Sequence, residues 1–207
     1  MFITFEGGEG TGKSTQVKLL AERLRAQGRD VQTTREPGGT PEAEELRKLL
    51  VSGDIARWTA DEELLLNFAA RGAHLRNLIV PALQAGKVVI CDRFVDSSFV
   101  YQCVAGGART SLFTELVNTI ASKQIPDFTF VLDIDPSLAM DRANERNGNQ
   151  LPDSRSDRYE RKGLAFHQKV RDGFIEIVKQ HPKRCHLIDA GGTPEDVATR
   201  IWKKLRG

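Results

Sequence analysis

The chain has 207 residues, 40% apolar and 28% charged, a composition ordinary for one globular α/β domain with a sizeable core. Thirty basic and 28 acidic residues leave a net charge of +2, which excludes a duplex-DNA or membrane-surface binder that works through a strong basic excess. No apolar run approaches the ~18–20 residues of a membrane span, and three scattered cysteines without a C-x-x-C pair point to reduced thiols rather than a metal site.

In chain order, Met1 leads directly into the apolar run Phe2–Phe5, a first strand with no room for a signal peptide, and a cytoplasmic location is expected. Gly7-Gly8-Glu9-Gly10-Thr11-Gly12-Lys13-Ser14 follows and fills every fixed position of the phosphate-loop pattern G-x-x-x-x-G-K-[ST]. Its glycines let successive N–H groups turn inward on an anion, and the helix predicted from Lys13 to Gln27 adds its positive dipole end. Lys13 is placed to reach the β- and γ-phosphates of ATP, the Ser14 hydroxyl to ligate Mg²⁺, and Thr15 to close the loop.

Further strands are expected at Val31–Thr34, Val88–Cys91, Phe128–Asp133 and His186–Ile188. Helices are expected at Pro41–Val51, Ala60–Ala85, Leu112–Ser122, Pro136–Arg146, Asp157–Gln180 and Pro194–Leu205, with a capping box at Thr59-Ala60-Asp61-Glu62 and first-turn prolines at Pro41 and Pro194. Apolar strands alternating with helices imply a parallel five-stranded sheet covered on both faces, a three-layer P-loop NTPase-type fold. Right-handed crossovers then gather the phosphate loop, Arg35-Glu36, Asp92-Arg93 and the segment after Asp133 on one edge. The polar stretch 147–156 reads as a surface loop or, more sharply, as a lid over the nucleotide.

An N-K-x-D guanine reader is absent, so a GTPase switch is disfavoured and a small kinase remains. Arg35, Arg47, Arg71 and Arg93 belong to different strand-end segments and can converge on an acceptor phosphate, while Arg142, Arg146, Arg155 and Arg158 flank the lid. Asp92 can orient water around Mg²⁺ or hold an arginine in place.

The segments Thr34-Arg35-Glu36-Pro37-Gly38-Gly39-Thr40, Asp92-Arg93-Phe94 with Asp96-Ser97-Ser98, Tyr101-Gln102 and Asp157-Arg158-Tyr159-Glu160, with the phosphate loop, resemble bacterial thymidylate kinase over nearly the whole chain. The resemblance implies transfer of the ATP γ-phosphoryl to dTMP with Mg²⁺ in dTTP biosynthesis. It also implies a homodimer and a single kinase domain over residues 1–207 with a lid at about 142–158. By position it implies Arg35, Arg47 and Arg93 around the dTMP phosphate and Glu36 near the transfer centre. Arg71, Gln102 and Ser98 would lie at the thymine edge and Tyr101 at the deoxyribose. The loop at Ala190-Gly191-Gly192 would approach the adenine of ATP, and Arg142 would bind ATP behind the lid arginines.

One branch of that family carries an arginine inside the phosphate loop. Here the position is Gly10, so Arg146 and Arg158 become the candidate arginine fingers, joining Lys13, Arg93, Glu9 and Asp92 in the expected catalytic set. Asn67 stands where many members place an aromatic, and Phe68, three residues before Arg71, is the candidate replacement for stacking on thymine. A kinase for another nucleoside monophosphate or a deoxynucleoside is the alternative reading, and a nucleotide-gated switch the non-enzymatic one.

Overall fold

A computed structural model describes residues 1–147, 158, 159 and 161–206, apart from the side chains at 143, 144, 146 and 147. Among the described residues five strands, β1 (Phe2–Gly7), β2 (Val31–Arg35), β3 (Val88–Asp92), β4 (Phe128–Asp133) and β5 (Cys185–Asp189), form one all-parallel sheet in the order β2-β3-β1-β4-β5. Each strand runs one or two residues past its predicted apolar stretch except β4, which keeps its predicted limits. Backbone pairing is indifferent to the polarity of Arg35, Asp92 or Asp189, so the ladder continues where the apolar pattern stops.

Strand alternation sorts the core. Ile3, Phe5, Val88, Ile90, Phe130 and Leu132 point to one face, where α1 (Lys13–Ala26) and α9 (Pro194–Arg206) supply Val17, Leu20, Val197 and Ile201. Phe2, Val89, Cys91 and Val131 point to the other. That face is covered by α3 (Ala60–His74), which continues through a wide π-helical turn, Leu75–Ile79, into α4 (Val80–Gln84), and by α8 (Leu164–Gln180). α2 (Pro41–Val51) packs on α3, and α5 (Val95–Ser98), α6 (Thr110–Leu116) and α7 (Pro136–Asn147) complete the described helices.

α5 (Val95–Ser98), prolonged in π-helical turns through Ala105, is a helix the sequence pattern misses. Its polar start, Asp96-Ser97-Ser98, masks the helical period, and tertiary contacts with α8 and α3 supply the stabilisation that propensity does not. The helix expected from Asp157 begins instead at Leu164, after an extended Gly163. Arg158 donates its backbone N–H to Val51 O across 3.2 Å, which ties this stretch to the end of α2.

Candidate active site

The C-terminal strand edge holds a cavity of about 270 Å³. The phosphate loop with Ser14 and Thr15 lines one end, Arg35, Glu36 and Arg47 one side, and Arg71, Ser98, Gln102 and Tyr159 the other end. The loop itself is shaped by glycines at positive φ, Gly10 at +71° and Gly12 at +92°. At Gly10 a Cβ would lie 1.9 Å from the carbonyl oxygen of Ala139, so α7 packs directly on the loop and no side chain fits there. Gly7 and Gly8 run behind the loop, and Thr11 Oγ1 donates to Gly8 O across 3.0 Å.

Lys13 is buried and folds back on its own loop, donating to Gly8 O at 2.6 Å and Gly7 O at 3.2 Å. Burial and the neighbouring Arg93 push its ammonium down to about 8, which leaves it charged near neutrality. Ser14 Oγ donates to Asp92 Oδ2 across 2.8 Å. This hydroxyl–carboxylate pair beside a phosphate loop suits a hard cation that takes its remaining ligands from phosphates and water, and among the described residues no cluster of three His, Cys, Asp or Glu offers another metal site.

Arg93 is the hub between the two ends. It follows β3 in the left-handed region, φ 70°, which turns its side chain from the sheet toward the loop. Its guanidinium donates to Gly7 O (2.9 Å), Ser97 Oγ (3.0 Å), Glu9 Oε1 (2.6 Å) and Tyr101 Oη (3.1 Å). Burial opposes the charge on Glu9, but Arg93 and Lys13 overcome it and hold the carboxyl at about 2. Beneath the hub lies Glu6, wholly buried, accepting from the Phe94 N–H and from Ser97. Burial, reinforced by Asp96, raises it to about 7.

At the far end Arg71 is 2% exposed. Its Nε donates to Glu36 Oε2 (2.8 Å) and one terminal nitrogen to Phe94 O (3.1 Å) and Ser98 Oγ (3.0 Å), while Nη1 is buried with no partner. Glu36 is held in turn by His74 Nδ1 at 2.9 Å. Glu36 therefore orients Arg71 rather than facing the phosphate loop. Arg35 bonds Glu44 and Arg47 bonds Pro37 O, both at the cavity wall. Arg142 donates to Ala190 O across 3.2 Å, which joins two of the expected ATP-binding residues outside this cavity.

Two expectations are corrected. Phe68 does not face the cavity: it is fully buried against Phe113, with the Arg71 guanidinium 4.5 Å over its ring, and Asn67 lines the wall instead. Three residues apart on α3, Phe68 and Arg71 do share a side, but that side stacks ring on guanidinium, and only Arg71 reaches the cavity wall. Arg158 is no free finger. It is fully buried, with Nη2 2.5 Å from Glu63 Oε1 and also donating to Ile55 O, and Nη1 donating to Leu50 O. The side chain of Arg146, and most of the expected lid, lie outside the described residues. Glu63 is the functional candidate that sequence reasoning missed; as one of three consecutive acids, Asp61-Glu62-Glu63, in the first turn of a leucine-rich helix it already has a sufficient reason there in the helix dipole.

A family model described as thymidylate kinase matches residues 5–201. The chain is 46% identical over 200 residues to a thymidylate kinase of Caulobacter vibrioides, covering 97% of this chain and 93% of that one. It is 44% identical over 205 residues to a thymidylate kinase of Afipia carboxidovorans, covering 99% and 88%. A crystal structure of thymidylate kinase from Ehrlichia chaffeensis superposes with a TM-score of 0.78 at 35% identity, over 100% of this chain and 98% of that chain.

Proposed function

The chain belongs to the thymidylate kinase family, and we propose that its cavity transfers the γ-phosphoryl of ATP to dTMP, giving dTDP and ADP in dTTP biosynthesis. The observation that carries this reading is the continuity of one cavity from Lys13 and Ser14 to Arg71 and Gln102. It spans a phosphoryl donor at one end and a nucleobase at the other, with Arg93 between.

Phosphoryl transfer depends on positioning and charge neutralisation rather than on covalent chemistry. Lys13 leaves its loop carbonyls for the β- and γ-phosphates when ATP binds. Ser14 and Asp92 would hold Mg²⁺, which draws charge from the phosphates when bound. Arg93, kept in place by Glu9 and Tyr101, holds the dTMP phosphate in line, with Arg35 and Arg47 along its outer side. A phosphate dianion needs no strong base to attack. Arg146, on α7 beside the loop, is the remaining candidate for the cation that meets the transition state, since Arg158 is committed elsewhere. At the base end Arg71 Nη1 donates and Gln102 accepts, which fits the C4 carbonyl and N3–H of thymine. A cytoplasmic homodimer and a single kinase domain with a lid at about 142–158 complete the proposal.

ADP release from ATP and Mg²⁺ tests it, measured across dTMP, dUMP, dCMP, dGMP, AMP and thymidine. Strong release with dTMP, less with dUMP and little with the others is the expected result. Preference for another acceptor would remove Arg71 and Gln102 as thymine readers.

A further inference from the structure

Glu63 is 3% exposed and lies in the first turn of α3, behind the cavity wall. Three separate donors converge on its carboxylate. Arg158 takes Oε1, while Tyr159 Oη (2.8 Å) and Gln102 Nε2 (3.2 Å) share Oε2. Gln102 Nε2 also donates to Tyr159 Oη across 3.0 Å. Both amide hydrogens of Gln102 are thus taken, one by Glu63 and one by Tyr159. The carbonyl oxygen is the atom left to accept from a bound base.

A reversed amide would set that oxygen against the Glu63 carboxylate, acceptor against acceptor, and would strip Tyr159 Oη of the hydrogen it accepts. An ionised carboxylate cannot donate, so it allows one sense of the amide only. Arg158 compensates the buried charge and lets Glu63 stay in this place. From these contacts we infer that Glu63 is a specificity-determining positioning residue: it fixes Gln102 with its acceptor toward the base, and thereby selects a base carrying N3–H over one carrying an unprotonated N3.

The inference rests on the reading of Gln102 as a base reader, and the test separates the two. Thymine and 5-methylcytosine share the methyl group and differ at N3 and the exocyclic C4 substituent. The ratio of kcat/KM for dTMP to that for 5-methyl-dCMP therefore reports the sense of the amide. Glu63→Gln can donate as well as accept, so it releases the constraint at nearly constant volume. That variant is expected to lower the ratio roughly 10–100-fold, mainly through the KM for dTMP, with the KM for ATP unchanged. Gln102→Ala should lower the ratio too, and the double variant should fall no further than Gln102→Ala alone, because Glu63 acts through Gln102. An unchanged ratio in Glu63→Gln beside a lowered one in Gln102→Ala overturns the inference and leaves the base reader standing. An unchanged ratio in Gln102→Ala overturns both. If Glu63→Gln fails to fold, Tyr159→Phe keeps the Glu63–Arg158 pair and frees one amide hydrogen of Gln102. Because the Glu63 carboxylate still faces the amide there, an unchanged ratio in that variant, beside a lowered one in Gln102→Ala, supports the inference, and a ratio as low as that of Gln102→Ala overturns it.

Discussion

Arg93 concentrates the chemistry of this cavity in one residue. Four acceptors from three segments fix its guanidinium in a plane, and its left-handed backbone aims it. An ammonium at the same place lacks the fork and the reach. Arg93→Lys should therefore lower kcat/KM for dTMP about 100-fold while leaving the folded state intact, measured by steady-state kinetics beside thermal melting. Arg93 was legible in the sequence because it follows an apolar strand and an acid at the sheet edge. Phe68 and Arg158 were misplaced for a common reason. Helical spacing says that two side chains share a side, and proximity to a polar loop says that a cation is near it, but neither says which atoms reach the cavity.

Elements, rather than single residues, decide where the phosphate-stabilising cation can come from. The first turns of α7 press Ala139 against Gly10, which excludes an arginine inside the loop by backbone contact. The segment before α8 is anchored by Arg158 to α3 through Glu63 and to α2 through the Leu50 carbonyl. Arg158 thus has a structural place, the proposed function leaves the transition-state cation to Arg146, and the two variants should separate cleanly. Arg158→Ala leaves a buried carboxylate uncompensated and should cost about 3–5 kcal/mol in urea denaturation. Arg146→Ala should leave the urea midpoint within about 0.5 kcal/mol and lower kcat by roughly 10³-fold, with the KM for ATP little changed. Equal loss of turnover and ATP affinity would count against Arg146 as the finger.

Over the whole molecule, two acids at the end of β1 titrate in opposed senses, Glu6 buried within the strand and Glu9 half-buried in the phosphate loop. Glu9 is held at about 2 against an ordinary 4.5. Its contribution to stability is complete above pH 4.5 and is lost as pH falls toward 2. Glu6 is raised to about 7. Between pH 4.5 and 7 the folded state keeps a proton there that the unfolded chain has released, so stability falls as pH rises through that window and levels above it. Glu6→Gln, neutral throughout, should gain roughly 1–3 kcal/mol on the parent between pH 5 and pH 8, read from urea midpoints. A constant difference across that range would place the proton elsewhere.

The phosphate loop, the alternation of strands and helices, and the placement of Arg35, Asp92 and Arg93 at strand ends follow from the sequence itself, because glycine placement, apolar periodicity and residues at strand ends are local properties of the chain. Three matters waited for the tertiary structure: the partnership of Glu63 with Arg158, 95 positions away, the helix at Val95–Ser98, and the turning of Phe68 into the core. Each is decided by long-range packing and by the need of a buried polar group for a partner, and neither is written in any short stretch of residues.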